Sequence, residues 1–169
     1  ADRDAAGAEG IDFTLDIYPY PTGGTVPVTF LPSGFQEGGP DAILKRLSDS
    51  NQRKAAAEYL ESNQEAHKLK ELERMLLSYV ADDPDLEGRT LKDIAVRRGM
   101  SLGEALCSVL LENNLKVGYW GEPPGESVWR QIDKDAMDLL ARPDYMVCSD
   151  ITPAGGKPHP RTFGAYPRF

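Results

Sequence analysis

The sequence predicts an α/β chain in which two short strands bracket a long, mainly helical segment. Three observations carry that reading. Apolar and polar residues alternate over residues 11–17 of "IDFTLDIYPY", which is the period-two signature of a strand. Helical spacing and paired capping signals fill the chain from about residue 41 to 114. A second apolar run, "YMVCSD", returns to strand character near the end and opens into a Gly/Pro loop.

Taken in order, the first ten residues, rich in Ala, Asp and Gly, read as the tail of a helix or a loose terminus. Ile11, Phe13, Leu15 and Ile17 then form one strand face, and Pro19, Pro21, Gly23 and Gly24 end it, since proline cannot donate to a ladder. "TVPVTFLPSGFQEGGP" is extended and loop-like. "DAILKRL" opens the helices. A long polar helix is predicted through "RKAAAEYLESNQEAHKLKELERMLLSYV", with Leu69, Leu72, Leu76 and Val80 as its apolar stripe. Thr90/Asp93 and Ser101/Glu104 each place a hydroxyl three residues before an acid, the capping-box pattern. "LKVGYWG" reads as a short strand and "VWRQIDKDAMDLLARP" as a helix halted by Pro143. A parallel strand-to-strand crossover needs only a helix and short loops, so the helical stretch is larger than a simple crossover and reads as an insertion.

Composition narrows the function classes. The 169 residues suffice for one domain, at most two, and 40% apolar content is that of a globular chain. A net charge of −8 speaks against nucleic-acid or acidic-lipid partners, which need clustered positive charge. No run approaches the roughly 18 apolar residues of a membrane helix, and the chain opens without a basic-then-apolar leader pattern. The two cysteines, Cys107 and Cys148, lie far apart and read as free thiols of a reducing, cytoplasmic compartment. There is no phosphate loop, dinucleotide fingerprint or histidine pair at metal-ligand spacing.

Candidate chemistry collects at the two strand ends. Asp150 stands where the second strand gives way to loop, the place α/β folds use for catalytic groups, and equally a place for an Asx-turn or a cap. Ser149 beside it lacks the G-x-S-x-G surroundings of a nucleophile and reads as a turn residue. His159, between two prolines, reads as an exposed imidazole with Arg161 close behind. That pair suits an anionic substrate group, or simply a rigid surface loop. Tyr18 and Tyr20, two residues apart, share one side of an extended chain and either line a pocket or pack on a core. His67 and the mixed-sign run from Glu58 to Arg74 read as a solvated helix face.

Together, "LDIYPYPTGGT", "LPSGFQEGGPDAILKRLSD", "LEGRTLKDIAVRRGMSLGEALCSVLLENN" and "MVCSDITPAGGKPHPRTFGAYPRF" resemble, in unbroken order, the N-acyl-D-amino-acid deacylases (D-aminoacylases) of the amidohydrolase superfamily. The resemblance implies a fragment of a TIM-barrel, zinc-dependent hydrolase acting on the amide bond of N-acyl-D-amino acids. Residues 1–24 would hold the seventh barrel strand and its active-site loop, 25–135 a mainly helical insertion, and 136–169 the eighth strand with its Pro-His-Pro-Arg loop. Asp150 matches the family's metal-proximal aspartate, a metal ligand and acid/base that takes a proton from the metal-activated water and gives it to the leaving amine. Tyr18 matches a position near the substrate carboxylate, and Tyr20, His159 and Arg161 are placed with it as substrate contacts. Gly24-Thr25 stands where relatives have Ser-Thr, and Ile151 where they often have Gly. The family's remaining zinc ligands have no match in this chain. The implied expectation is that the isolated chain holds no zinc, is inactive, and partners the rest of the barrel, with self-association possible. The alternative is a non-catalytic helical interaction or oligomerisation domain.

Overall fold

The computed structural model describes the backbone of residues 2–62, 66–151 and 155–168, and the side chains of 5–62, 70–151 and 155–167. In chain order the first elements are α1 (Asp2–Ala8), β1 (Leu15–Ile17), β2 (Gly24–Thr25), α2 (Ser33–Gln36), α3 (Gly39–Ser48) and α4 (Ser50–Ser62). Then come α5 (Ala66–Glu73), β3 (Met75–Val80), α6 (Leu91–Arg98), α7 (Leu102–Glu112), β4 (Val117–Gly121), α8 (Glu126–Leu140), β5 (Tyr145–Val147) and α9 (Arg161–Arg168). The chain divides into two compact units. One comprises Ala1–Pro21, Pro123–Ile151 and Pro160–Phe169; the other comprises Thr22–Glu122 and Thr152–His159. Helix α8 therefore groups with the strands at the two ends of the chain, outside the larger unit.

In the larger unit β2, β4 and β3 form an antiparallel sheet in that order, with Thr25 opposite Tyr119 and Leu76 opposite Trp120. The predicted long helix stops at Glu73, and Leu76 and Val80 belong to a strand instead. Residues four apart satisfy a helical stripe, but Met75, Leu77 and Val80 are fully buried in the core cluster on a strand whose backbone pairs with β4. Leu69 lies outside the residues whose side chains are described. The irregularity between Leu77 and Tyr79 lets Ser78 face inward beside its buried neighbours. "TVPVTFLPSGFQEGGP", expected to be loop, contains β2, a 3-10 turn at Pro27–Phe30 and the short α2.

Helices α3, α4, α6 and α7 supply the rest of this unit's core, with Leu47, Leu91, Ile94, Leu106 and Leu110 all at or near zero exposure. Both capping signals are used. The Ser101 hydroxyl accepts from Glu104 N at 3.3 Å while Ser101 N donates to Glu104 Oε2 at 3.0 Å, and Thr90 Oγ1 accepts from Asp93 N at 3.1 Å. Gly103 is where α7 meets α4: a Cβ there would stand 2.4 Å from the Ala57 carbonyl oxygen, so only glycine permits this approach. Cys107 sits in the same core, and burial pushes its thiol up to about 12.

The smaller unit is built on β1 and β5, which pair in parallel with Leu15 opposite Tyr145 and Ile17 opposite Val147. The ladder is extended at both ends by Leu15 N donating to Asp144 O at 2.9 Å and Cys148 N donating to Ile17 O at 3.0 Å. Residues 11–14 carry the predicted alternation, yet β1 begins only at Leu15, because a strand needs a partner and β5 is just three residues long. Helix α8 packs against β5 and carries Glu126–Arg130 and Lys134–Asp138 ion pairs at i,i+4 on its exposed side. Among the described residues, Pro19, Ala136 and Ala165 are this unit's buried apolar side chains, while Ile11, Met146, Phe163 and Tyr166 are each more than half exposed. No helix among the described residues is long and apolar enough to cross a membrane.

Candidate functional site

Parallel pairing sets the carboxyl ends of β1 and β5 side by side, and in parallel α/β folds this is the end where functional groups collect. Tyr18 leaves β1 there and Asp150 follows β5. Asp150 adopts φ +44°, the left-handed region that an Asp tolerates better than most residues, and its side chain remains 57% exposed. Arg161, the first residue of α9, is its counterpart: only 2% exposed, it sets Nη1 2.8 Å from Asp150 Oδ2. The Arg161 guanidinium also lies over the Tyr18 ring, 4.9 Å from its centroid, a cation–π distance. Tyr20 donates its hydroxyl to Pro160 O at 3.4 Å, and Gly164 passes so close that a Cβ would stand 2.7 Å from that hydroxyl.

Tyr18, Tyr20 and Asp150 border a cavity of about 630 Å3, lined also by Asp16, Asp135, Cys148 and Tyr166. Desolvation, with the Asp16 and Asp150 charges, raises the Cys148 thiol and keeps it protonated. Thus Tyr18, Tyr20, Asp150 and Arg161 come together in the smaller unit, as four of the five residues foreseen as substrate or catalytic groups.

His159 belongs to the other unit, and the exposed imidazole foreseen there is instead 5% exposed. Its Nε2 lies 2.8 Å from Thr22 O and its ring meets Trp120 edge-on at 5.6 Å. The segment before it is held as firmly: Gly156 N donates to Glu87 Oε2 at 2.8 Å, Lys157 N to Ser78 O at 3.3 Å, and Trp120 Nε1 to Lys157 O at 3.0 Å. His159 ends a strap laid on the antiparallel sheet. A proline on either side restricts the backbone that sets this ring in place. Gly24, noted above as a departure from the resemblance, pairs closely enough with β4 that a Cβ would be 2.8 Å from Tyr119 O, so a serine would require the strands to shift. The His67 side chain lies outside those described.

Asp16, Asp135, Cys148 and Tyr166 were not foreseen at the site. Asp16 had a faint signal, two residues before Tyr18 in an extended stretch. Asp135 and Tyr166 had none, because they arrive on helices α8 and α9 and not at a strand end.

The sequence resembles that of a D-aminoacylase, and the fold resembles that of a deacylase. A curated D-aminoacylase from Alcaligenes xylosoxydans xylosoxydans is 27% identical over 95 residues, which is 56% of this chain and 17% of that protein. The crystal structure of N-acyl-D-glutamate deacylase from Bordetella bronchiseptica, complexed with zinc and a phosphonate mimic of the tetrahedral intermediate, superposes with a TM-score of 0.56 at 22% identity. That match covers 98% of this chain and 24% of the other, so the chain spans about a quarter of the solved relative and less of the curated one. No protein-family model matches the chain.

Among the described residues no three His, Cys, Asp or Glu side chains gather closely enough to hold a metal. Asp150 Oδ2 is engaged by Arg161.

Proposed function

We propose that this chain is part of a zinc-dependent amidohydrolase that cleaves the amide bond of N-acyl-D-amino acids to a carboxylate and a D-amino acid. The observation that carries the reading is the placement of Asp150 at the carboxyl end of a parallel strand pair, in a chain whose fold and sequence both resemble deacylases. β1 and β5 serve as the seventh and eighth barrel strands, and the unit Thr22–Glu122 as the insertion between them. The remaining strands and the other zinc ligands come from outside this chain. The exposed Met146 on β5 agrees with that, since parallel sheets are covered on both faces.

Within this framework Asp150 is the acid/base group that carries the proton to the leaving amine nitrogen, and Tyr18 and Tyr20 face the substrate. The test is a longer protein containing this segment, zinc-loaded and offered N-acetyl-D-amino acids with their L-enantiomers as controls. Hydrolysis of the D-series is expected, and Asp150→Asn should lower kcat by roughly 10²–10⁴-fold with unchanged circular dichroism. Absence of hydrolysis in the wild type, or wild-type turnover in the variant, refutes the reading.

A further inference from the structure

We infer that Arg161 is a positioning residue that aims the Asp150 carboxylate, and not a clamp for the substrate's own carboxylate. The inference rests on the proposed reaction and deepens it. The two partners differ sharply in exposure: Arg161 at 2% and Asp150 at 57%. The buried member cannot reorient without disturbing its surroundings, whereas a half-exposed Asp side chain on its own samples several rotamers. The 2.8 Å contact therefore transfers the order of the arginine to the aspartate.

Two further constraints hold the arginine. Its guanidinium stacks over Tyr18 at 4.9 Å, and its backbone starts α9 directly after Pro160, whose carbonyl accepts the Tyr20 hydroxyl at 3.4 Å. The ends of β1 and β5 and the start of α9 thus meet through one side chain. An anion arriving from solvent would find Arg161 covered and already neutralised, which is a poor receptor for a substrate carboxylate. Because Oδ2 takes the ion pair, Oδ1 is the oxygen assigned to proton transfer. Asp150 sits in the left-handed region, so its backbone already turns the side chain out of the strand, and Arg161 selects where it then points.

Two measurements test this. In the longer, zinc-loaded protein, Arg161→Gln should lower kcat about 100-fold, the scale of an ångström-level misplacement, with KM held within about threefold. Arg161→Lys should recover little of that loss, because an ammonium can meet the Asp150 carboxylate but cannot stack its plane on Tyr18. Independently of turnover, the Nη nitrogens of Arg161 in this chain should give separate, slowly exchanging NMR signals that merge in Asp150→Asn. A rise in KM with unchanged kcat in R161Q would make Arg161 a substrate clamp and overturn the inference, as would Nη signals indifferent to D150N. Wild-type turnover distinguishes the two levels: its absence removes the reaction reading, while the NMR comparison still upholds or overturns the pairing.

Discussion

The two compact units differ in how completely each is closed. The unit Thr22–Glu122 contains every member of the hydrophobic core cluster, from Leu31 to Tyr119, and its central strand β4 has neighbours on both sides. The unit around β1 and β5 buries only Pro19, Ala136 and Ala165 among its described apolar side chains, and among the described residues its two strands pair only with each other. Yet the open unit carries Asp150, Arg161 and the two tyrosines. The larger unit builds its own core, and the more open one carries the candidate site.

The free cysteines, one in each unit, give the largest expected contrast. Cys107 is fully buried with its thiol pushed up to about 12, so its thiolate fraction at pH 8 is about a thousandfold below that of an ordinary cysteine. Cys148 is also raised, but it is half-buried and borders the open cavity. Iodoacetamide followed by mass spectrometry should label Cys148 of the folded chain at least about a hundredfold faster than Cys107. Equal labelling would mean that the larger unit is not closed.

A core substitution sharpens the same comparison. Leu106→Ala, at zero exposure in the larger unit, should cost about 2–5 kcal/mol in denaturant unfolding. Val147→Ala, 37% exposed beside the site, should stay within about 0.5 kcal/mol. Comparable losses at the two positions would contradict the contrast in closure.

The smallest effect concerns the Ser101 cap. Ser101→Ala should cost about 1 kcal/mol. In the native chain, hydrogen bonds from the Ser101 backbone and then its hydroxyl hold the Glu104 carboxyl below its usual range. A lowered folded value means the stabilisation is fully present above the unfolded value near 4.5 and is lost as pH falls through the folded one. NMR titration of S101A should move the Glu104 midpoint upward part of the way, since the backbone donor remains. No movement would remove the hydroxyl from the cap.

How legible these features were depends on how far apart in the chain their causes lie. The Ser101–Glu104 box spans three residues, and the strand–loop junction at Asp150 is announced by its own neighbours. The helix at Glu126–Leu140 shows in its spacing and in Pro143. Met75–Val80 was misread because helical and strand spacing both fit Leu72, Leu76 and Val80, and the choice is made by β4, some forty residues downstream. His159 was expected at the surface, but it is buried through a contact with Thr22, 137 residues away.

By itself the sequence determined the capped helices, the strand-like ends and the carboxylate where the second strand stops, because each depends on dihedral preference and periodicity within a few residues. Only the tertiary structure decided which strand borders β4, that His159 is an anchor, and that Arg161 is buried against Asp150. Burial and charge pairing are set by which distant segments pack together, and no local pattern records that.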